Sequence, residues 1–130
     1  MGRRVSWHYS HKYSPPAPVA VVTLASPHAM SKGQALIDTG ADMTVISKAK
    51  ADEAGISKQP PISLVLMKSH EYTGLAPVFE AKLKLGDEMV EITPVIATIS
   101  DEAIIGRDVL NKFTVTLDGP REEVRLSRRP

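Results

Sequence analysis

Ala35-Leu36-Ile37-Asp38-Thr39-Gly40-Ala41-Asp42-Met43-Thr44-Val45 is the stretch that decides how this chain folds. Three apolar residues run into Asp38, Thr39 and Gly40 follow, and β-branched residues resume at Thr44, Val45 and Ile46. Strand-favouring flanks on both sides of Asp-Thr-Gly place one carboxylate at a tight turn between hydrophobic walls. The tripeptide alone would arise by chance in roughly a few per hundred chains of this length at average residue usage, so the flanks carry the information. A second apolar element ending in glycine and a cation, Ile104-Ile105-Gly106-Arg107, lies much later in the chain.

Upstream of the Asp turn, Val19 to Leu24 is β-rich, Ser26-Pro27 and Ser31-Lys32-Gly33 punctuate, and Gln34 to Ile37 reads as the next strand, so a hairpin leads into the turn. Downstream, Ser47 is placed to cap a short helix over Lys48 to Ala54, with Gly55 as its left-handed stop. Ile62 to Met67 is a strand candidate, Lys68 to Gly74 a polar turn, and Val78 to Leu85 a half-buried strand in which Phe79, Ala81, Leu83 and Leu85 alternate with Glu80, Lys82 and Lys84. Met89 to Ile99 continues as strand, Pro94 marking an edge or bulge. Val109, Leu110 and Phe113 have helical spacing, and Thr114 to Leu117 and Val124 to Ser127 form a last hairpin around Asp118-Gly119-Pro120. The first eighteen residues, broken by Pro15, Pro16 and Pro18, read as an arm whose Trp7, Tyr9 and Tyr13 pack on the body or on a partner subunit. The class implied is all-β, mostly antiparallel, with one or two short helices, closed into a small barrel or packed as sheets.

At 130 residues the chain is one domain, too short for two independent lobes. Sixteen Lys and Arg balance fifteen Asp and Glu for a net charge of +1, so no strong polyanion-binding field is implied. There is no cysteine, which excludes disulfides, thiol catalysis and cysteine zinc motifs. His8, His11, His28 and His70 have no ligand spacing, so neither a metal nor a cofactor is expected. No run approaches a membrane span and the first thirty residues are not signal-like, which reads as cytoplasmic, although a domain released from a longer precursor would look the same.

The Asp turn and its flanks, together with Ile104-Ile105-Gly106-Arg107, resemble the retropepsin family, the retroviral-type aspartic proteases. The resemblance covers about Val19 to Leu117, leaving residues 1–18 as an arm and 118–130 as a C-terminal hairpin extension closer to cellular and bacterial members. It implies a small acid-protease barrel that is homodimeric, with one catalytic Asp38 per subunit at the interface. Thr39 would lock the two loops together and Gly40 would admit the substrate backbone, with Ala41 completing the loop. A buried Asp42 to Arg107 ion pair is implied at the interface. The flap closing over substrate would be the hairpin around Lys68, Ser69, His70, Glu71, Tyr72, Thr73 and Gly74, which is poor in the glycine usual there.

The residues demand the same partnership on chemical grounds. Amide hydrolysis without a metal or nucleophile needs an acid and a base together, and two carboxylates sharing a proton supply both. A chain with one Asp turn must find the second in an identical chain. The function implied is therefore an aspartic endopeptidase acting on an extended peptide or protein. Val45, Ile99, Ile104 and Ile105 either line its pockets or are ordinary core. A rival is a dimeric peptide-binding module of the same fold that does not cut. A third reading, a nucleic-acid-binding barrel using the aromatic arm, is disfavoured by the balanced charge, and no nucleic acid partner is expected.

Overall fold

The computed structural model describes residues 3–68, 73–86, 88–92, 94–97 and 103–128. In chain order the strands are β1 Arg3–His8, β2 Val19–Ala25, β3 Met30–Ile37, β4 Val45–Ser47, β5 Ser63–Lys68, β6 Thr73–Val78, β7 Ala81–Leu85, β8 Glu88–Ile92, β9 Val95–Ala97, β10 Ala103–Ile105, β11 Thr114–Asp118 and β12 Glu123–Arg128. Helix α1, Lys48–Glu53, follows β4, and helix α2, Arg107–Leu110, follows β10. One sheet has the order β5-β6-β9-β4-β10-β3-β2-β7-β8, and β1-β12-β11 form a second. The pairings are antiparallel except β3 with β10 and β4 with β9, so the class is the mostly antiparallel β implied by the sequence. Among the described residues no helix is long and apolar enough to cross a membrane.

Alternation builds the core. In β7, Ala81, Leu83 and Leu85 are buried while Lys82 and Lys84 face water, and β12 buries Val124 and Leu126 in the same way. These join Val22, Leu24, Ile37, Ile105, Val109 and Leu110 in one cluster. Each fully buried branched side chain contributes roughly 1.5–3 kcal/mol, which lets the fold form without cross-links.

The region after the Asp turn forms as its residues dictate. The Ser47 hydroxyl accepts the Lys50 N–H at 3.2 Å and caps α1, and Gly55 ends the segment at φ +71°. Ala51 and Ala54 are fully buried, and the Ser26 hydroxyl donates to the Ala54 carbonyl at 2.6 Å. The Ser57 hydroxyl and then Lys48 hold Asp52 below the usual carboxylate range, and the Ser31 hydroxyl, with Lys50, does the same for Glu53.

Five expectations change. Ser31-Lys32-Gly33 do not punctuate but lie inside β3, paired with Leu24, Thr23 and Val22, so the strand begins at Met30 rather than Gln34. Val78 to Leu85 is not one strand, because Val78 and Phe79 are both buried, which breaks the period of two, and the chain leaves β6 there to begin β7. Lys68, Thr73 and Gly74 are paired strand residues (Lys68 with Thr73, Met67 with Gly74) rather than turn. Met89 to Ile99 is interrupted at the buried Pro94, a corner where the chain passes from pairing with β7 to pairing with β4 and β6; Ile99 lies outside the described residues. Finally, Arg3–His8 of the expected arm is a strand laid along β12, with Val5 opposite Leu126, while Trp7 and Tyr9 pack against the core.

The feature that positions the site is the path of β10. It lies between β3 and β4, pairing Ile105 with Ile37 on one side and Ile104 with Val45 on the other. The loop from Asp38 to Thr44 therefore leaves β3, crosses the end of β10 and returns as β4. Gly106 sits directly beneath that loop, where a Cβ would come within 2.6 Å of the Met43 carbonyl carbon and 2.9 Å of the Ala41 oxygen. Its φ of −95° suits any residue, so the demand for glycine is purely steric. Because the obstructing atoms are backbone, Gly106→Ala is expected to cost about 3 kcal/mol or more, the upper end of overpacking effects. Gly119→Ala, with nothing within 4 Å, should change stability by no more than about 0.5 kcal/mol; denaturant unfolding of the two variants checks the contrast.

Candidate active site

Asp38 is the first residue past β3, and its N–H donates to the Ile105 carbonyl at 3.1 Å. The Gly40 N–H donates to Asp38 Oδ1 at 2.9 Å, and the Ala41 N–H to the Asp38 carbonyl at 3.2 Å. The turn thus fixes its own carboxylate. Gly40 allows this closeness, since a Cβ there would meet Asp38 Oδ1 at 3.2 Å. Asp38 and Ala41 are half-buried, while Thr39 and Gly40 are exposed at the crest of the loop.

Arg107 holds the loop from outside. Its Nη1 donates to the Thr39 carbonyl at 3.0 Å, its Nη2 pairs with Asp42 Oδ1, and its N–H donates to the Ala41 carbonyl at 2.9 Å. The ion pair forms between the residues anticipated, but it is not buried in the single chain. The Arg107 side chain is 45% exposed and that of Asp42 84%.

The inner clamp went unread in the sequence. Thr44 is only 2% exposed; its N–H and hydroxyl donate to Asp108 Oδ2 at 3.1 Å and Oδ1 at 2.8 Å, and its Oγ1 accepts the Gly106 N–H at 3.2 Å. Asp108 Oδ1 also accepts the N–H of Val109 at 3.0 Å. The available signal was a threonine interrupting an apolar return strand and an acid following Gly106-Arg107.

Of the candidate pocket residues, Ile105 is fully buried in the main core, whereas Val45 and Ile104 are half-buried. Val45 joins Met43, Val65 and Met67 against a separate small cluster centred on Ala76 and Val78, so the inner face of the β5–β6 hairpin rests on the Asp loop. Lys68, Thr73 and Gly74 form the described end of that hairpin; Ser69, His70, Glu71 and Tyr72 lie outside the described residues. Among the described residues no group of three His, Cys, Asp or Glu could hold a metal ion. What the loop offers chemically is one anchored carboxylate at an open crest.

The fold is shared with solved structures of retropepsin-like aspartic proteases. The crystal structure of a retropepsin-like aspartic protease from Rickettsia conorii superposes with a TM-score of 0.68 at 15% identity, over 98% of this chain and 93% of that one. The EIAV protease complexed with the inhibitor HBY-793 gives 0.54 at 20% identity, over 81% and 92%. The retroviral protease-like domain of Ddi1 from Leishmania major gives 0.53 at 15%, over 83% and 89%. At these identities the likeness is one of fold. The sequence itself matches the family described as "gag-polyprotein putative aspartyl protease" over residues 30–112, well over half of the chain, and the protein belongs to that family. No curated protein sequence matches it significantly.

The two clamps predict different energetics. Asp108→Ala strands the buried donors of Thr44 and should destabilise the chain by about 2–4 kcal/mol. Arg107→Leu removes an exposed ion pair and the guanidinium's water-accessible hydrogen bond to the Thr39 carbonyl, and should cost the isolated subunit about 1 kcal/mol, less than the Asp108 variant. Chemical denaturation of each variant at low protein concentration reads the difference.

Proposed function

We propose that the protein is an aspartic endopeptidase that works as a two-fold homodimer, the Asp38 carboxylate of each subunit meeting the other's at the axis. The observation that carries this reading is the presentation of Asp38, fixed by the Gly40 N–H at the crest of a loop whose backbone is tied down by Arg107. One carboxylate can serve as base or as acid, whereas hydrolysis of an amide needs both at once. The sequence holds a single Asp-Thr-Gly, so a second copy supplies the other.

Two carboxylates in contact cannot both ionise, so one keeps its proton. The ionised Asp38 takes a proton from water, which attacks the scissile carbonyl carbon. The protonated Asp38 donates to the carbonyl oxygen as the tetrahedral diol forms. A proton then passes to the nitrogen, the C–N bond breaks, and the amine leaves. Thr39 locks the paired loops together, Gly40 gives the peptide backbone room, and the partner subunit covers the Asp42–Arg107 pair. The peptide binds extended, by strand-like main-chain hydrogen bonds. Its apolar side chains lie against Val45 and Ile104, with Ile105 behind them, and the β5–β6 hairpin closes above.

Subunit mixing provides the test. Wild-type chains are mixed with an equal amount of Asp38→Asn chains and allowed to exchange, with exchange verified by differently tagged chains. Random pairing leaves about a quarter of the dimers wholly wild type. At fixed total protein, pepstatin-sensitive cleavage of a peptide library should fall to roughly a quarter of the unmixed rate, whereas a site complete within each chain would leave roughly half. Half-activity after proven exchange would refute the shared site. A dimer that binds peptides without turnover would establish the non-cutting module instead.

A further inference from the structure

The contact between the hairpin and the Asp loop contains chemistry that peptide hydrolysis does not require. Ala76 and Val78 are its buried centre, and Met43, Val45, Val65 and Met67 pack against them. Met43 belongs to the Asp loop, while Met67 lies on β5 opposite Gly74, one pair short of the described end of the hairpin. Met67 shares the hairpin's inner face with Val65, Ala76 and Val78, so one thioether lies on the Asp loop and the other on the hairpin face that packs against it. Both methionines are half-buried, open enough for a small oxidant to reach, and the chain has no cysteine to react first.

We propose that Met43 and Met67 form a redox-sensitive latch: hydrogen peroxide converts either thioether to the sulfoxide, which releases the β5–β6 hairpin from the Asp loop, and reduction restores the contact. In the oxidation a sulfur lone pair attacks one peroxide oxygen, the O–O bond breaks, an S–O bond forms and water leaves. Sulfur loses two electrons and the peroxide gains them. The sulfoxide oxygen is a strong hydrogen-bond acceptor, and the side chains of this cluster are all Ala, Val or Met, with no donor among them. To be solvated it must turn to water, which carries the side chain out of the cluster. The main core does not share this sensitivity, because among the described residues its buried side chains include no methionine. The effect on turnover rests on the proposed protease reading; the release of the hairpin does not.

Exposed Met30 and Met89, 72% and 53% accessible and outside this contact, serve as internal controls. The full chain is treated with graded hydrogen peroxide, the sites oxidised are mapped by peptide mass, and amide hydrogen exchange is followed alongside peptide hydrolysis. Oxidation at Met43 or Met67 is expected to speed exchange of the β5 and β6 amides at least tenfold while β2, β3 and β7 are unchanged, and to lower hydrolysis at least fivefold. Methionine sulfoxide reductases of both epimer specificities should reverse both effects. The Met43→Leu/Met67→Leu double variant, a near volume-conserving change, should show neither effect relative to its own untreated state. The latch is overturned if Met43 and Met67 oxidise fully without change in hairpin exchange, if they resist peroxide that oxidises Met30 and Met89, or if the double variant responds as the wild type does. Should the untreated protein hydrolyse nothing, the protease reading fails, and the exchange measurement still decides the latch.

Discussion

The threading of β10 beneath the loop from Asp38 to Thr44 is the constraint on which the rest of the structure depends. β10 has three residues, all paired with β3, but only a single bridge to β4, so on the β4 side its backbone bonds alone hold it weakly. The Thr44–Asp108 clamp compensates. Hydrogen bonds to an ionised carboxylate are roughly twice as strong as neutral ones, and here one carboxylate accepts the N–H and hydroxyl of a buried threonine whose oxygen in turn accepts from Gly106. Each member satisfies the next, so no polar group in the clamp is left buried without a partner. The position of Asp38 is thereby fixed by an acid far along the chain that never approaches the loop's crest.

The same three residues, Gly106-Arg107-Asp108, act on opposite sides of the loop. Asp108 turns inward and contributes to the stability of the single chain. Arg107 turns outward, where water competes for its charge and that of Asp42, so the pair adds little while the subunit is alone. In the proposed dimer the partner would remove that competition, and the hydrogen bond to the Thr39 carbonyl would help offset the desolvation of the guanidinium. An exposed pair in a single subunit and a useful one at an interface are then the same geometry in two solvents.

What could be read from the sequence was local. The Ser47 cap, the Gly55 stop, the β2–β3 hairpin and the alternation of β7 each depend on residues a few positions apart, and all are present. What escaped was nonlocal or lacked a pattern. Thr44 and Asp108 are 64 residues apart, and no spacing rule in one chain joins a threonine to an acid at that distance. β1 escaped because only Val5 and Trp7 mark its inward face before the prolines begin. The single strand expected from Val78 failed at Phe79 because two consecutive buried residues can belong to two different pairings, which periodicity alone does not distinguish. Within the candidate site, the Asp loop and the Asp42–Arg107 pairing were legible from motif and resemblance, but the exposure of that pair was not, since burial depends on how many subunits surround it.

The hairpin over the loop has a different energetic character from the body. Its inner face rests on a cluster with only two buried residues, Ala76 and Val78, apart from the main core. Its outer face exposes Leu64, Leu66 and Leu75 by about three-fifths each, so those side chains contribute little to holding it down. Segments with few buried apolar contacts open at a fraction of the global unfolding free energy, and this hairpin pairs with β9 but not with β2, β3 or β7. It is attached to the body by the pairing of Val78 with Val95 of β9 and by the apolar contact with Met43 and Val45, residues of the Asp loop and of the strand that follows it. The Asp loop is thus one of the hairpin's two supports, and its own inner end is anchored by Asp108. The anchored carboxylate and the lightly held hairpin are two consequences of one arrangement: a hydrogen-bonded clamp on one side of the loop and a small apolar contact on the other.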